Sequence, residues 1–194
     1  MATLPIAWLI ARAAGLVAFG LLTLSVWLGL AMSTRLLGPK RQKALLGLHR
    51  TLVWVGLAML ALHMIAVFLD PTLHFGALAV LVPFAAPWKT GAIAAGVIGG
   101  WLSLMLAVSF RMRKWIGQKG WRRLHYLSFG AFALALGHAL LVGTDLQGLG
   151  GPVLALVAAG PVLWLTFSKC ISRPMMPDCC TIRNSSYIMA SRPR

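Results

Sequence analysis

The sequence predicts an all-α integral membrane protein: a bundle of about five transmembrane helices, two of them parallel and bearing histidines. Three observations predict it. The 194 residues are 59% hydrophobic and only 11% charged, whereas about a quarter of a soluble domain is charged. Mean hydropathy is +0.83. Several apolar runs approach or exceed the roughly 18 residues of a membrane span, and most of the 18 Lys and Arg gather between those runs or after the last of them.

Residues 1–12, MATLPIAWLIAR, read as a lead-in on the outer side. It has no basic n-region and no convincing cleavage site, so it is expected to be retained. The first span is expected at about 13–32. A basic loop with Arg35, Lys40, Arg41 and Lys43 follows, with Gly38 and Pro39 as breakers. The second span, about 47–69, ends at Asp70-Pro71, because proline cannot continue a helix and restricts the residue before it. FGALAVLVPFAAPW is too short to span and is broken by Pro83 and Pro87, so it is expected to lie at the interface, with Trp88 and Lys89 at the membrane surface.

The third span, about 90–110, is rich in small residues, among them Gly96, Gly99 and Gly100. These permit close approach of a helix or a flat ring. A basic loop from Arg111 to Arg123 leads into the fourth span, about 124–142. The fifth, about 150–168, contains Pro161 as an expected kink. The membrane domain is thus expected at 13–168. Residues 169–194 are polar, proline-broken and aperiodic, and read as a disordered cytoplasmic tail.

Charge restricts the function classes. The net charge of +15 sits in loops, which matches cytoplasmic loops of a membrane protein rather than a nucleic-acid surface. The acids are Asp70, Asp145 and Asp178, with no Glu, which leaves little for paired-carboxylate hydrolysis. Cys170, Cys179 and Cys180 fall in the tail, form no CxxC and read as reduced thiols. The excess of Lys and Arg on one side orients the chain: N-terminus outside, C-terminus cytoplasmic, spans two and four both running outward.

Four of the five histidines fall on those two spans. His49 and His63 are 14 residues apart, and His125 and His138 are 13 apart. At about 1.5 Å per residue, each pair covers about 20 Å of helix, inside a hydrocarbon core about 30 Å thick. Parallel helices then match His49 with His125 on the inner side and His63 with His138 on the outer side. A neutral imidazole is a good axial ligand for haem iron, so all four are expected to ligate two b-type haems. Ionisable groups inside a membrane are candidates for function by default, although a lone histidine there often only hydrogen-bonds.

A 13-residue step lands about 140° from alignment at roughly 100° per residue, so the fourth span needs an irregularity. Gly130 and Gly137 are the expected places. Arg12 on the outer side and Arg122, with Arg50 and Arg123, on the inner side are candidates to neutralise haem propionates, against interfacial snorkelling as the ordinary role. His74 lies outside the pattern and is expected to be exposed or structural. Trp54, Trp101 and Trp164 are expected to pack.

The words LHRTLVWVGLAMLALH and WRRLHYLSFGAFALALGHALLVGTD, with this histidine spacing, resemble the ferric reductase-like transmembrane domain over about residues 13–168. That superfamily includes ferric-chelate reductases, NADPH oxidases and the haem-binding subunit of the periplasmic methionine sulfoxide reductase system. The resemblance implies a helical bundle in a bacterial inner membrane. It implies two b-type haems on His49, His125, His63 and His138, and electrons moving from a cytoplasmic donor to an outside acceptor, either ferric iron or a periplasmic oxidoreductase. Many members have six spans; five are expected here. No GxGxxG follows a strand, so a separate reductase or a quinol is the expected donor. One of the sites holding a flavin is a variant of this expectation. The alternatives are a di-haem quinol cytochrome, weakened by the lack of membrane carboxylates, and a scaffold or transporter without haem. A transporter would show repeat symmetry with broken helices near the midplane.

Overall fold

The computed structural model describes residues 6–33, 39–144 and 148–171. Every regular element in them is a helix: α1 Ile6–Ser33, α2 Pro39–Leu69, α3 Ala77–Leu81, α4 Thr90–His125, α5 Leu127–Val142 and α6 Gly150–Ile171. Four helical stretches are long and apolar enough to cross a membrane: Ile6–Ser33, Lys40–Leu69, Thr90–Val142 and Gly150–Phe167. These are the features of a membrane protein.

The third stretch, 53 residues long, folds back on itself. Gly117, at φ 77° and ψ 160°, breaks α4, and the chain then returns along its own first half. A Cβ on Gly99 would meet the Ala131 carbonyl at 3.3 Å. The stretch therefore lays two legs in the bundle, 90–116 and 118–142.

The helix contacts are made by small residues. Ala11, Ala14, Ala18, Ala94, Ala131 and Ala158 are buried, while Leu16, Val17, Leu156 and Leu163 face outward. Lipid tails are as apolar as leucine, so bundles in a membrane gain from close backbone approach rather than from hiding large side chains. Helix α1 packs along α2 and α4 along α5, α6 leans on α1, and the backbones of α2 and α5 scarcely approach one another. The cleft that this leaves lies between the two histidine-bearing legs.

Asp70 ends α2. One carboxylate oxygen accepts from the Thr72 amide at 2.8 Å and from its hydroxyl at 2.6 Å, an Asx turn that offers the backbone an alternative to the helix. Helix α3 closes the end of the bundle near Asp70. Ala79, Ala86 and Ile93 form its small core, and Trp101 Nε1–H ties it to α4 through the Leu81 carbonyl at 2.9 Å.

Several expectations are corrected. Residues 6–12 of the lead-in belong to α1, since no proline interrupts the sequence from Ile6 to Ser33. Lys40, Arg41 and Lys43 sit in the first turn and a half of α2 rather than in a loop, with Pro39 as its first residue, where a missing N–H costs nothing. The basic segment 111–123 is helical except at Gly117, because its Lys, Arg, Gln and Trp are compatible with a helix. Helix α6 ends at Ile171, so Cys170 lies in its last turn. Trp54, Trp101 and Trp164 are 47%, 49% and 71% exposed, so none is buried in the core; Trp54 lines the inner cavity and Trp101 ties α3 to α4. Arg35, Asp145, Asp178, Cys179, Cys180 and the tail from residue 172 lie outside the described residues.

Candidate cofactor site between two helix pairs

The two histidine-bearing legs run the same way, and their imidazoles meet at two levels. The ring centroids of His49 and His125 are 6.2 Å apart with planes at 70°. Those of His63 and His138 are 6.4 Å apart with planes at 79°. Between the levels Phe19 of α1 stacks on Phe132 of α5, centroids 6.2 Å apart.

The irregularity in the returning leg falls at Tyr126, straight after His125, and not at Gly130 or Gly137. Tyr126 N–H bonds the Arg123 carbonyl at 3.2 Å, and Phe129 N–H bonds the Tyr126 carbonyl at 3.1 Å. These are three-residue turns. Each residue so wound rotates about 120° instead of about 100°, which closes part of the angular gap between His125 and His138.

Three of the four rings are held by one device. His63 Nδ1 donates to the Ala11 carbonyl at 2.7 Å, and His138 Nδ1 donates to the Ala92 carbonyl at 2.9 Å. His49 Nδ1 donates to the Ser25 carbonyl at 2.9 Å, with Ser25 Oγ at 3.0 Å. Four residues after each carbonyl stands a glycine against which the ring lies. A Cβ on Gly15 would be 2.8 Å from His63 Nδ1, one on Gly96 would be 2.6 Å from His138 Nδ1, and one on Gly29 would be 3.7 Å from His49 Cε1. The proton is thereby committed to Nδ1, and Nε2 keeps its lone pair, the form in which histidine ligates a metal. His125 has no such bond: its buried Nδ1 has no partner, and its ring stacks on Trp121 at 4.9 Å and 21°.

A cavity of about 1120 Å³ opens beside His49 and His125, slightly larger than ligand pockets of roughly 300–1,000 Å³. Its wall contains Phe19, Phe132, Trp121 and the basic residues Arg50, Arg111 and Arg122. Thr23, Trp121 and His125, which also line it, each bury a polar side-chain atom without a hydrogen-bond partner. Each such atom costs about 1–3 kcal/mol. Among the described residues, no three of His, Cys, Asp and Glu come together. The histidines are offered in twos.

Arg122 is exposed at the rim of this cavity. Arg50 lies over the Phe110 ring at 4.3 Å. Arg12 is one residue beyond Ala11, at the level of the His63–His138 pair, with its guanidinium 3.9 Å above the Trp8 ring. His74 is exposed in the segment between α2 and α3, with its Nδ1–H toward the Thr72 carbonyl at 3.2 Å. The sequence did not single out Gly15, Gly29, Phe110 or Trp121. The signal was there as a glycine at the same offset from each histidine-holding carbonyl, but it is invisible without knowing which helices pair. Compared with protein-family models, with curated proteins and with solved structures, the chain finds no match.

Proposed function

We propose that this chain carries electrons across a membrane through two b-type haems, one on His49 and His125 and one on His63 and His138. The observation that carries the proposal is the pair of facing imidazoles at each of two levels. Two imidazoles that both bonded one metal ion at about 2.0–2.1 Å would have ring centres about 6 Å apart, and the centroid separations of 6.2 and 6.4 Å fit that.

Two protein donors per site also suit a macrocycle that brings its own four. A bare zinc ion would take three or four protein ligands. When bound, haem supplies one-electron redox chemistry, and the protein supplies ligation, orientation and a dry path. Ala11, Ser25 and Ala92 orient the imidazoles through their carbonyls. Phe19 and Phe132 fill the space between the levels and exclude water from it. Arg50, Arg111 and Arg122 offer positive charge to acidic groups at the inner cavity, and Arg12 offers it at the outer level.

Helices that merely hydrogen-bond through histidine would need only the Nδ1 contacts; they would not need the rings to face one another twice. In this reading the third helical stretch crosses twice, giving five passes. In it the Lys- and Arg-rich start of α2 and the basic segment 111–123 lie in the cytoplasm and the N-terminus lies outside. The membrane is a bacterial inner membrane, the donor is a separate reductase or a quinol, and the acceptor is ferric iron or a periplasmic oxidoreductase.

Haem content of the purified chain tests this. The wild type should carry two haems per chain, and His63→Ala and His125→Ala should each carry one. An unchanged haem content in both variants would overturn the assignment of ligands.

A further inference from the structure

The four imidazoles are not held alike. Ala11 and Gly15 hold His63, and 14 residues later on the same helix Ser25 and Gly29 hold His49. On the other helix pair Ala92 and Gly96 hold His138. The same step of 14 residues brings the register to Leu106 and Phe110, where the cradle for His125 would stand. Neither position can serve. The Leu106 carbonyl already accepts from the Ser109 hydroxyl at 2.7 Å. A phenylalanine occupies the place of the glycine, and its ring abuts Trp121 edge to face at 5.9 Å and 75°. Trp121 in turn lies flat against His125 at 4.9 Å. Leu106, Phe110, Trp121 and His125 all line the cavity.

We propose that Trp121, braced by Phe110, is the positioning residue of His125, replacing by ring stacking the carbonyl-and-glycine cradle that orients the other three histidines. Stacked and edge-to-face aromatic pairs contribute in this geometry beyond their buried area, and they fix the plane of a ring without fixing its proton. His125 is therefore the ligand whose Nδ1–H is uncommitted. A hydrogen bond from that N–H raises the basicity of an imidazole ligand. The pair containing His125 has one ring with such a bond, whereas the His63–His138 pair has two. The proposal rests on the haem reading only for its redox consequence; the grip on the ring is a property of the protein alone.

Two measurements on the full chain separate these parts. In haem-free protein labelled with nitrogen-15 histidine, Trp121→Ala should broaden or shift the His125 imidazole resonances and leave those of His49, His63 and His138 in place. Trp121→Phe, which keeps a stacking ring, should restore the wild-type pattern, and Phe110→Leu should give a weaker version of the Trp121→Ala effect. In haem-loaded protein, a redox titration of Trp121→Ala should move the midpoint of the one haem that His125→Ala removes, and not that of the other. Unchanged His125 resonances in Trp121→Ala would overturn the proposal, as would an equal disturbance of all four histidines. A wild type that takes up no haem would instead remove the haem reading, while the resonances would still decide the role of Trp121.

Discussion

Gly15 and Gly96 are the residues on which the His63–His138 level depends most closely. An added methyl at either would occupy the space of the imidazole, at 2.8 and 2.6 Å, and the ring cannot withdraw without leaving its carbonyl. Outer-shell partners of metal-bound histidines change affinity by about 10–100-fold. On the proposed haem reading, Gly15→Ala and Gly96→Ala are each expected to weaken haem binding at this level by that order, as read by haem titration of the purified variants. Gly29→Ala, where the new methyl would sit at ordinary contact distance of 3.7 Å, should leave the His49 level nearly unchanged. Equal effects at all three glycines would contradict the cradle geometry. Ser25→Ala should also be mild, because the backbone carbonyl still holds His49 when the hydroxyl is gone. The pairing of His49 with His125 and of His63 with His138 was legible from their spacing on two parallel spans. Their glycine cradles were not, since 20 glycines are scattered through the chain, and only helix pairing shows which of them face a ring.

At the scale of the element, the returning leg of the third helical stretch is where sequence and structure part. The apolar runs located the helices that bear the histidines, and Asp70-Pro71 marked the end of α2 correctly. The basic segment after Phe110, expected as a loop, is helical. Lys and Arg are good helix formers, and the only non-helical residue within α4 is Gly117. Its φ of 77° and ψ of 160° belong to a region that is essentially restricted to glycine, where another residue costs about 1–3 kcal/mol. Gly117→Ala is therefore expected to lower the thermal midpoint of the solubilised protein by destabilising the hairpin by that amount, with little effect from Gly130→Ala, which meets open space. An unchanged midpoint for Gly117→Ala would show that the turn is made elsewhere. The irregularity needed between His125 and His138 was foreseen but misplaced: it follows from three-residue hydrogen bonds at Tyr126 and Phe129, which no glycine announces.

For the whole molecule, the α1–α2 and α4–α5 pairs face one another across a cleft with rings at two levels. A path for electrons along the cleft requires the legs bearing His49 and His125 to start on the same side of the membrane. Reporter fusions after Ser33 and within 111–123 should both report the cytoplasmic side, and a fusion at His74 the opposite side. Fusions that place residue 33 and residues 111–123 on different sides would dismantle the parallel arrangement. The Lys and Arg distribution gives the orientation that these fusions test. The depth of the cleft was not readable from the sequence, because it depends on how closely small residues let the helix backbones approach.

The central claim is that each level is one metal centre with two imidazole ligands at a steep angle to each other. The most direct measurement is the electron paramagnetic resonance spectrum of the oxidised chain, purified after expression with ample haem supply and assayed for haem per chain. Planes at 70° and 79° predict two haems per chain, both low-spin ferric with the strongly anisotropic signals of nearly perpendicular axial imidazoles. A haem-free protein, or high-spin signals from both haems, would contradict the account.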